Sequence, residues 1–127
     1  MIGRPAPVVR TITQAQIDAY AAASGDYNPI HVDPAFAAAT PFAGTIAHGM
    51  LVLALIGEMM FAAFGDRWLT SGKLKVRFKA PMRPGETVTA SAEPLKHAAD
   101  GLAEYAVQCA TAAGGVVIEG RATVADA

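Results

Sequence analysis

The clearest pattern in the sequence is a strict alternation of basic and apolar residues that begins at residue 73. Leu74, Val76 and Phe78 are each flanked by lysine or arginine, which is the period of two of a half-buried β-strand with one charged and one apolar face. Three later segments have strand-like patterns, and turn residues separate them. The sequence thus predicts strands at residues 73–79, 87–93, 102–111 and 116–124, with hairpin-like turns at Pro84-Gly85, Ala99-Asp100-Gly101 and Gly114-Gly115.

The first part of the chain follows helical spacing instead. After a short strand candidate at residues 8–12, Thr13 and Gln16 form a capping-box pattern, in which each side chain satisfies a free backbone N–H. We therefore expect a helix to begin at Thr13 and to continue to about residue 23. Gly25 follows and can adopt the left-handed conformation that ends a helix.

Two further helices are predicted before the basic strand. A loop containing Pro29 leads to Asp33 and Pro34, a cap and a first-turn proline that predict a short helix. Residues 50–64 are apolar nearly all round, apart from Glu58. This composition is typical of a helix surrounded by protein.

These elements predict an α+β domain in which an antiparallel sheet of about five strands wraps around one long central helix. The length of 127 residues fits a single domain, and 53% hydrophobic with 17% charged residues fits a compact globular protein. Much of the apolar fraction is alanine, so the core has few bulky side chains. Because such a sheet also has open edges, we expect a homodimer in which strands pair across the interface.

Charge and cysteine content narrow the function classes. A formal charge of −1 and a pI near 6.3 lack the basic excess of a nucleic-acid binder. Cys109 is the only cysteine and cannot form an intramolecular disulfide, and the first ten residues lack a signal-peptide pattern, so we expect a cytoplasmic protein. The apolar segment at residues 47–64 contains His48 and Glu58, and is therefore interpreted as a buried helix rather than a membrane span.

The first candidate for chemistry is the pair Asp26 and His31, five residues apart in a proline-containing loop. An imidazole exchanges protons near neutral pH, and a neighbouring carboxylate can orient it or activate water. The pair is thus suited to adding or removing water. The alternative is purely structural: Asp26 caps a turn, Asn28 makes an Asx-turn, and His31 is a buried histidine satisfied by the backbone.

The second candidate is His48-Gly49, directly before the long helix. The first backbone N–H groups of a helix have no intrahelical acceptor, and Gly49 would let a developing oxyanion approach them. His48 beside it is a candidate substrate contact. The alternative is that Gly49 only permits tight packing and His48 caps the helix.

These two segments together resemble the MaoC-like hydratases and dehydratases of the hot-dog fold. The resemblance rests on Ser-Gly-Asp-Tyr-Asn-Pro-Ile-His from Ser24 and on Ala-His-Gly-Met-Leu from Ala47 at the expected distance. Residues 76–81 and 84–87 resemble the strand and turn that follow the central helix of the family, so essentially the whole chain is covered. The resemblance implies a curved antiparallel sheet around one long helix, usually in a dimer.

The resemblance also implies roles for individual residues. Asp26 and His31 would be the acid–base pair acting on one water, Asn28 would hold the loop, and the Gly49 amide would polarise the thioester carbonyl. No metal and no redox cofactor would be needed. One departure from the resemblance is Gly57, because some family members place a serine hydroxyl near the pair at the matching position. We expect this difference to affect the turnover rate rather than the reaction type.

For several other residues, the sequence fits both a structural role and a substrate-binding role. The basic face of the strand at 73–79 is either solvated or meets the phosphates of coenzyme A or phosphopantetheine at a tunnel mouth. Glu58 either lines the acyl pocket or pairs at an interface. The basic residues are Lys73, Lys75, Arg77 and Lys79, and the apolar residues that fit core or acyl pocket equally are Met50, Met59, Met60, Phe61 and Phe64.

The sequence therefore favours a homodimeric hydratase that adds water to trans-2-enoyl thioesters, most simply enoyl-coenzyme A. Its product would be the (R)-3-hydroxyacyl thioester, by resemblance to the family. One alternative is a 3-hydroxyacyl carrier-protein dehydratase, which runs the same chemistry backwards. Another is a non-catalytic hot-dog partner subunit, although an idle subunit has no chemical need for Asp26, Asn28, His31 and Gly49 together. A thioesterase is disfavoured by the hydratase-type loop.

Overall fold

The computed structural model describes residues 4–98, 101–113 and 115–126 of the chain. The five strands are β1 (Val8–Thr11), β2 (Lys73–Phe78), β3 (Thr87–Ala98), β4 (Leu102–Thr111) and β5 (Val116–Ala125). The helices, all between β1 and β2, are α1 (Gln14–Ser24), α2 (Pro29–Val32), α3 (Pro34–Ala38), α4 (Gly49–Phe64) and α5 (Asp66–Ser71).

The strands form one antiparallel sheet in the order β1-β3-β4-β5-β2. The predicted α+β class is confirmed, and so are the pairings of β3 with β4 and of β4 with β5. The predicted hairpin between β2 and β3 is wrong, because β2 pairs with β5 at the far edge. Gly85 does make a turn, with φ at 90°, but its N–H bonds to the Ile12 carbonyl and places β3 beside β1. Of the predicted turn residues, Ala99, Asp100 and Gly114 lie outside the described residues.

Helix α4 supplies the centre of the core with one face only. Val52, Ile56 and Met59 are fully buried against the sheet, whereas Met50 and Phe61 are 57% and 47% exposed. The prediction of a helix surrounded by protein is thus wrong for the outward face. Glu58 lies on that face and accepts two hydrogen bonds from the Arg10 guanidinium of β1, at 2.7 and 3.2 Å. Among the described residues, no helix is both long and apolar enough to cross a membrane.

The capping signals are where the sequence predicts them. The Thr13 hydroxyl accepts from Gln16 N, and the Gln16 side chain accepts from Thr13 N, which completes the capping box of α1. Gly25 ends this helix with φ at 78°. Asp33 caps α3 by accepting from Phe36 N. These short-range hydrogen bonds fix the ends of the segment that carries the candidate site.

Three elements differ from the sequence-based prediction. Helices α2 and α5 were not predicted; each is only one or two turns long, and α2 lies where Pro29 was interpreted as part of a loop. Strand β3 continues past Glu93 to Ala98. Pro94 is tolerated there because β1 pairs with β3 only as far as Ala90, so this part of β3 has no strand on its other side among the described residues.

Cys109 is predicted to be unreactive in the folded protein. It is fully buried on β4, its thiol points to the Val52 carbonyl, and burial raises its pKa to about 11. The thiolate is the reactive form, so a thiol reagent at pH 8 should label Cys109 only after unfolding in denaturant. Rapid stoichiometric labelling of the native protein would contradict this prediction.

Candidate active site

The loop after α1 is held by its own side chains. Asp26 accepts a hydrogen bond from Asn28 N at 3.2 Å through Oδ1, and Asn28 Oδ1 accepts from Ile30 N at 3.2 Å. The second bond caps α2, whose first residue is Pro29. The structural alternative predicted turn-forming contacts for Asp26 and Asn28, and both contacts exist. The Asp26 side chain is nevertheless exposed, so the rest of its carboxylate faces solvent.

The His31 ring is anchored to the backbone through one nitrogen. Its Nδ1 lies 2.8 Å from the Ile46 carbonyl oxygen. A carbonyl can only accept, so Nδ1 carries the hydrogen and the neutral ring keeps the lone pair on Nε2. The backbone around it is joined as well, since Ile46 N donates to the Ile30 carbonyl at 3.2 Å. The anchor thus leaves Nε2 as the nitrogen that can bind a proton or a water.

The His48 ring packs directly on the His31 ring. Their centroids are 3.9 Å apart and their planes differ by 25°, while Tyr20 contacts His48 edge-on at 4.8 Å. His48 precedes α4, but its side chain does not cap that helix. Instead its Nε2 lies 3.0 Å from the Asp26 carbonyl oxygen. The alternative of a helix-capping His48 is therefore wrong.

Asp26, His31 and His48 form one cluster. A carboxylate oxygen and one nitrogen of each ring lie within 4.8 Å of one another. Such a gap between Asp26 and His31 suits a single bridging water, because two hydrogen bonds of ordinary length span it. The rings of His31 and His48 are stacked, and their planes differ by only 25°. Their nitrogen lone pairs therefore do not converge on one point, which is unfavourable for chelating a metal.

A cavity of about 420 Å³ opens beside the cluster. His31 and Gly49 both line it, and Gly49 is the first residue of α4, where backbone N–H groups lack intrahelical acceptors. A Cβ at Gly49 would lie 2.8 Å from Cε1 of the Phe78 ring, so glycine is needed for this close packing. The remaining wall is largely apolar and consists of Phe42, Ile46, Ala47, Val52, Phe78, Ala80, Pro81, Met82 and Val117, with Lys79.

The basic residues of segment 73–79 do not all line one depression, and Lys79 follows the last residue of β2. Lys79 lines the cavity beside His31, with its Nζ 3.4 Å from Glu119 Oε1. Lys75 and Arg77 line a different depression of about 650 Å³. Leu74 and Val76 pack against the core, and neighbouring residues of a strand face opposite sides, so the outer face carries Lys73, Lys75 and Arg77.

The methionine and phenylalanine residues of α4 do not line this cavity. Met59 and Met60 are fully buried in the core, and Met50 and Phe61 are exposed. Gly57 lies eight residues, or about 12 Å along the helix axis, from Gly49. A Cβ built on Gly57 meets no atom within 4 Å, so the helix has room for a serine side chain at this position.

Sequence reasoning missed the residues that complete the site through distant contacts. Ile46 contributes both its carbonyl to His31 and its side chain to the cavity wall. Phe78 was assigned to the inner face of β2, yet it is 55% exposed and lies at the cavity. Its position against a glycine at the start of α4 is a packing contact that no spacing rule identifies.

Comparisons with known proteins agree with this architecture. The chain is 39% identical to an (R)-specific enoyl-CoA hydratase of Rhodospirillum rubrum, over 96% of this chain and 85% of that protein. It is 45% identical over 85 residues to the 3-hydroxyacyl-thioester dehydratase Z of Mycobacterium tuberculosis, and this match covers 64% of the chain and 56% of that protein. The chain thus spans about half the length of the mycobacterial relatives that it matches.

Solved structures and family models give the same assignment. The (R)-hydratase of Aeromonas caviae superimposes with a TM-score of 0.83 at 31% identity, covering 98% of this chain and 96% of that chain. The expected hot-dog fold is therefore confirmed. The model described as MaoC like domain matches residues 3–110. The chain belongs to the MaoC-like family.

Proposed function

We propose that the protein is a hydro-lyase that adds water to trans-2-enoyl thioesters, most simply enoyl-coenzyme A, and releases (R)-3-hydroxyacyl thioesters. The observation that carries this proposal is the placement of His31 and Gly49 on one cavity, with the Asp26 carboxylate within 4.8 Å of the imidazole cluster. The R. rubrum and A. caviae relatives are both named (R)-specific enoyl-CoA hydratases, which supports the same reaction and product for this chain.

In the proposed reaction Asp26 and His31 act on one water molecule. The His31 Nε2 lone pair and a free lone pair of the Asp26 carboxylate accept the two hydrogens of this water, so its oxygen lone pair is directed at Cβ of the substrate. The new C–O bond forms at Cβ as one O–H bond of the water breaks and His31 Nε2 accepts that proton; His31 then delivers a proton to Cα and is neutral again. The sum is the addition of one water across the double bond.

The developing negative charge is assigned to the thioester oxygen. As the π electrons move towards Cα, charge builds on the carbonyl, and the Gly49 amide at the positive end of α4 stabilises it. The apolar wall formed by Ile46, Val52 and Met82 holds the acyl chain and limits water around the reacting carbons. Proton transfer and oxyanion stabilisation together require neither a metal nor a redox cofactor in this proposal.

The decisive test is an assay with crotonyl-coenzyme A. The purified protein should remove the conjugated enoyl absorbance and form the (R)-3-hydroxybutyryl ester, as identified by chiral chromatography. A His31→Ala preparation processed in parallel controls for contaminating hydratases. Absence of turnover with crotonyl and hexenoyl esters alike, or an (S) product, would contradict the proposal.

Dehydration of a 3-hydroxyacyl thioester, including one on carrier protein, is the second candidate function, because the mycobacterial relatives are named 3-hydroxyacyl-thioester dehydratases, a name that leaves the thiol carrier open. The same site would then remove water from a 3-hydroxyacyl group. Comparing kcat/KM for 3-hydroxybutyryl-coenzyme A with that for the same acyl group on carrier protein distinguishes the two substrates. A preference of at least about tenfold for the carrier protein would favour the second candidate.

Lys79 is the basic residue assigned to the substrate phosphates. Lys79→Ala should raise KM for crotonyl-coenzyme A about three- to fivefold and leave kcat nearly unchanged, because an exposed phosphate contact contributes about 1 kcal/mol or less to ground state and transition state alike. The effect should shrink with added salt. Lys75→Ala is the matched control on the outer face and should leave KM unchanged. Equal KM values for the parent and Lys79→Ala would contradict this assignment.

A homodimer extends the proposal to the assembly. Edge strands β1 and β2 each lack a partner on one side within the described chain, and Val9 on β1 and Phe78 on β2 are 61% and 55% exposed. A second copy that continues the sheet would pair the free backbone groups and cover these side chains. Sedimentation equilibrium at micromolar concentration should give twice the 13.1 kDa chain mass. A monomer throughout that range would contradict the proposal.

A further inference from the structure

His48 is one of two buried polar residues in the described core, with 2% of its surface exposed. Its two ring nitrogens have different environments. Nε2 donates to the Asp26 carbonyl, since a carbonyl can only accept, whereas Nδ1 is buried and has no hydrogen-bond partner in the described part of the chain. Buried polar atoms in native proteins rarely lack a hydrogen-bond partner, so the burial of this ring requires an explanation from its other contacts.

The surroundings of His48 enclose its ring on several sides. It is faced by Tyr20 from α1, by His31 from α2 and by the Asp26 backbone. The hydrogen bond to the Asp26 carbonyl places a hydrogen on Nε2, because a carbonyl can only accept. These contacts hold the ring in one orientation.

His48 is unsuited to contact substrate. It is absent from the wall of the cavity that His31 and Gly49 share, as is Asp26, but unlike the exposed Asp26 it is buried, with 2% of its surface exposed. The earlier expectation of a substrate-binding His48 thus has no support from its position. What it does contact is both members of the acid–base pair, through a hydrogen bond on one side and a stacked face on the other.

We propose that His48 is a positioning residue that sets the separation of Asp26 and His31. Its Nε2–H donates to the backbone carbonyl of Asp26, and its ring stacks on the His31 ring. The hydrogen bond from His31 Nδ1 to Ile46 fixes only one point of the His31 ring, so the stacked His48 ring is needed to fix its plane. This inference rests on the proposed function for its kinetic consequence. Because His48 contacts both members of the pair and does not line the cavity, its loss should lower kcat while KM for the substrate stays the same.

Three substitutions separate the two contacts. His48→Gln keeps an amide N–H that can donate to the Asp26 carbonyl, His48→Phe keeps the flat ring without the donor, and His48→Ala removes both. We expect kcat for crotonyl-coenzyme A to fall about threefold for Gln, at least about tenfold for Phe, and most for Ala, up to about 10²-fold, since small misplacement of reacting groups is costly. KM should stay within about twofold throughout. Phe36→Ala, on the exposed face of α3, is the control expected at parental rates.

Other outcomes overturn the proposal. A rise in KM with kcat retained would make His48 a substrate contact. Equal kcat for the Gln and Phe variants would remove the hydrogen bond from the argument, and parental kcat in all three would remove the positioning role. The Gln and Phe variants are similar in size to histidine, so their comparison still decides if His48→Ala does not fold.

A second measurement does not depend on turnover. Nitrogen-15 NMR of the imidazoles should show the Nε2–H form for His48 and the Nδ1–H form for His31 in the parent protein. The His31 signals should shift and broaden in His48→Ala, because this substitution removes the ring stacked on His31, and they should change less in His48→Phe, which keeps a flat ring. Unchanged His31 signals would overturn the positioning role, whether or not the protein hydrates enoyl thioesters. If the assay fails but the His31 signals change as expected, only the proposed function is overturned.

Discussion

Replacement of His31 by alanine is expected to lower kcat for enoyl thioester hydration by at least about 10²-fold, and Asp26→Asn to do the same. A positioned acid or base contributes about 10²–10⁴-fold to proton-transfer steps. The two groups share one water in the proposed mechanism, so the loss of either removes a hydrogen-bond acceptor that directs the attack on Cβ. Initial rates with crotonyl-coenzyme A at saturating substrate measure the effect.

The control for this prediction is Asp33→Asn. It is the same substitution seven residues further on, and asparagine can also accept the Phe36 N–H that Asp33 accepts as the cap of α3. Its kcat should equal that of the parent. Circular dichroism and thermal melting establish that all variants are folded, and a folded Asp26→Asn protein with parental kcat would contradict the assignment.

Gly120→Ala is expected to destabilise the protein by about 3 kcal/mol. A Cβ at Gly120 on β5 would overlap the carbonyl oxygen of Lys75 and approach Val76 Cα to 2.6 Å on the paired strand β2. These atoms are backbone, so relief requires β2 to move away from β5, and overpacking of this kind is costly. Urea unfolding at fixed protein concentration measures the change in free energy, since dimerisation would otherwise contribute.

Gly57→Ala supplies the matched comparison. It is also a glycine-to-alanine change, but a Cβ there meets no atom within 4 Å and the residue lies inside α4. Alanine loses less backbone entropy in a helix, so this variant should be more stable than the parent by about 0.5–1 kcal/mol. Similar destabilisation by both substitutions would show that the local clash at Gly120 is not the cause.

The elements of the fold were predictable where one segment determines its own structure. The capping box of Thr13 and Gln16 and the alternation in β2 and in the first part of β3 depend on neighbours a few residues away, and these elements are confirmed. The partner of β2 was not predictable, because a turn at Gly85 fits a hairpin as well as a crossing to β1. Strand order depends on which distant edges meet, which a local pattern does not contain.

The candidate site follows the same division. Asp26, His31 and Gly49 could be identified because chemistry and family resemblance point to them by residue type. Their supports could not, since the Ile46 carbonyl belongs to the backbone and is present whatever residue stands at that position. The stacking of His48 on His31 joins α2 to the residue before α4, seventeen residues apart in the chain. It depends on how these two segments pack together.

Ile46 serves the site in two separable ways, and this bears on how the pocket can diverge. Its carbonyl holds His31, whereas its side chain faces the cavity that would receive the acyl chain. A substitution at residue 46 alters the shape of the pocket and leaves the backbone oxygen in place. Selection for longer or bulkier acyl groups can therefore change the residue at this position without removing the carbonyl that holds the His31 ring.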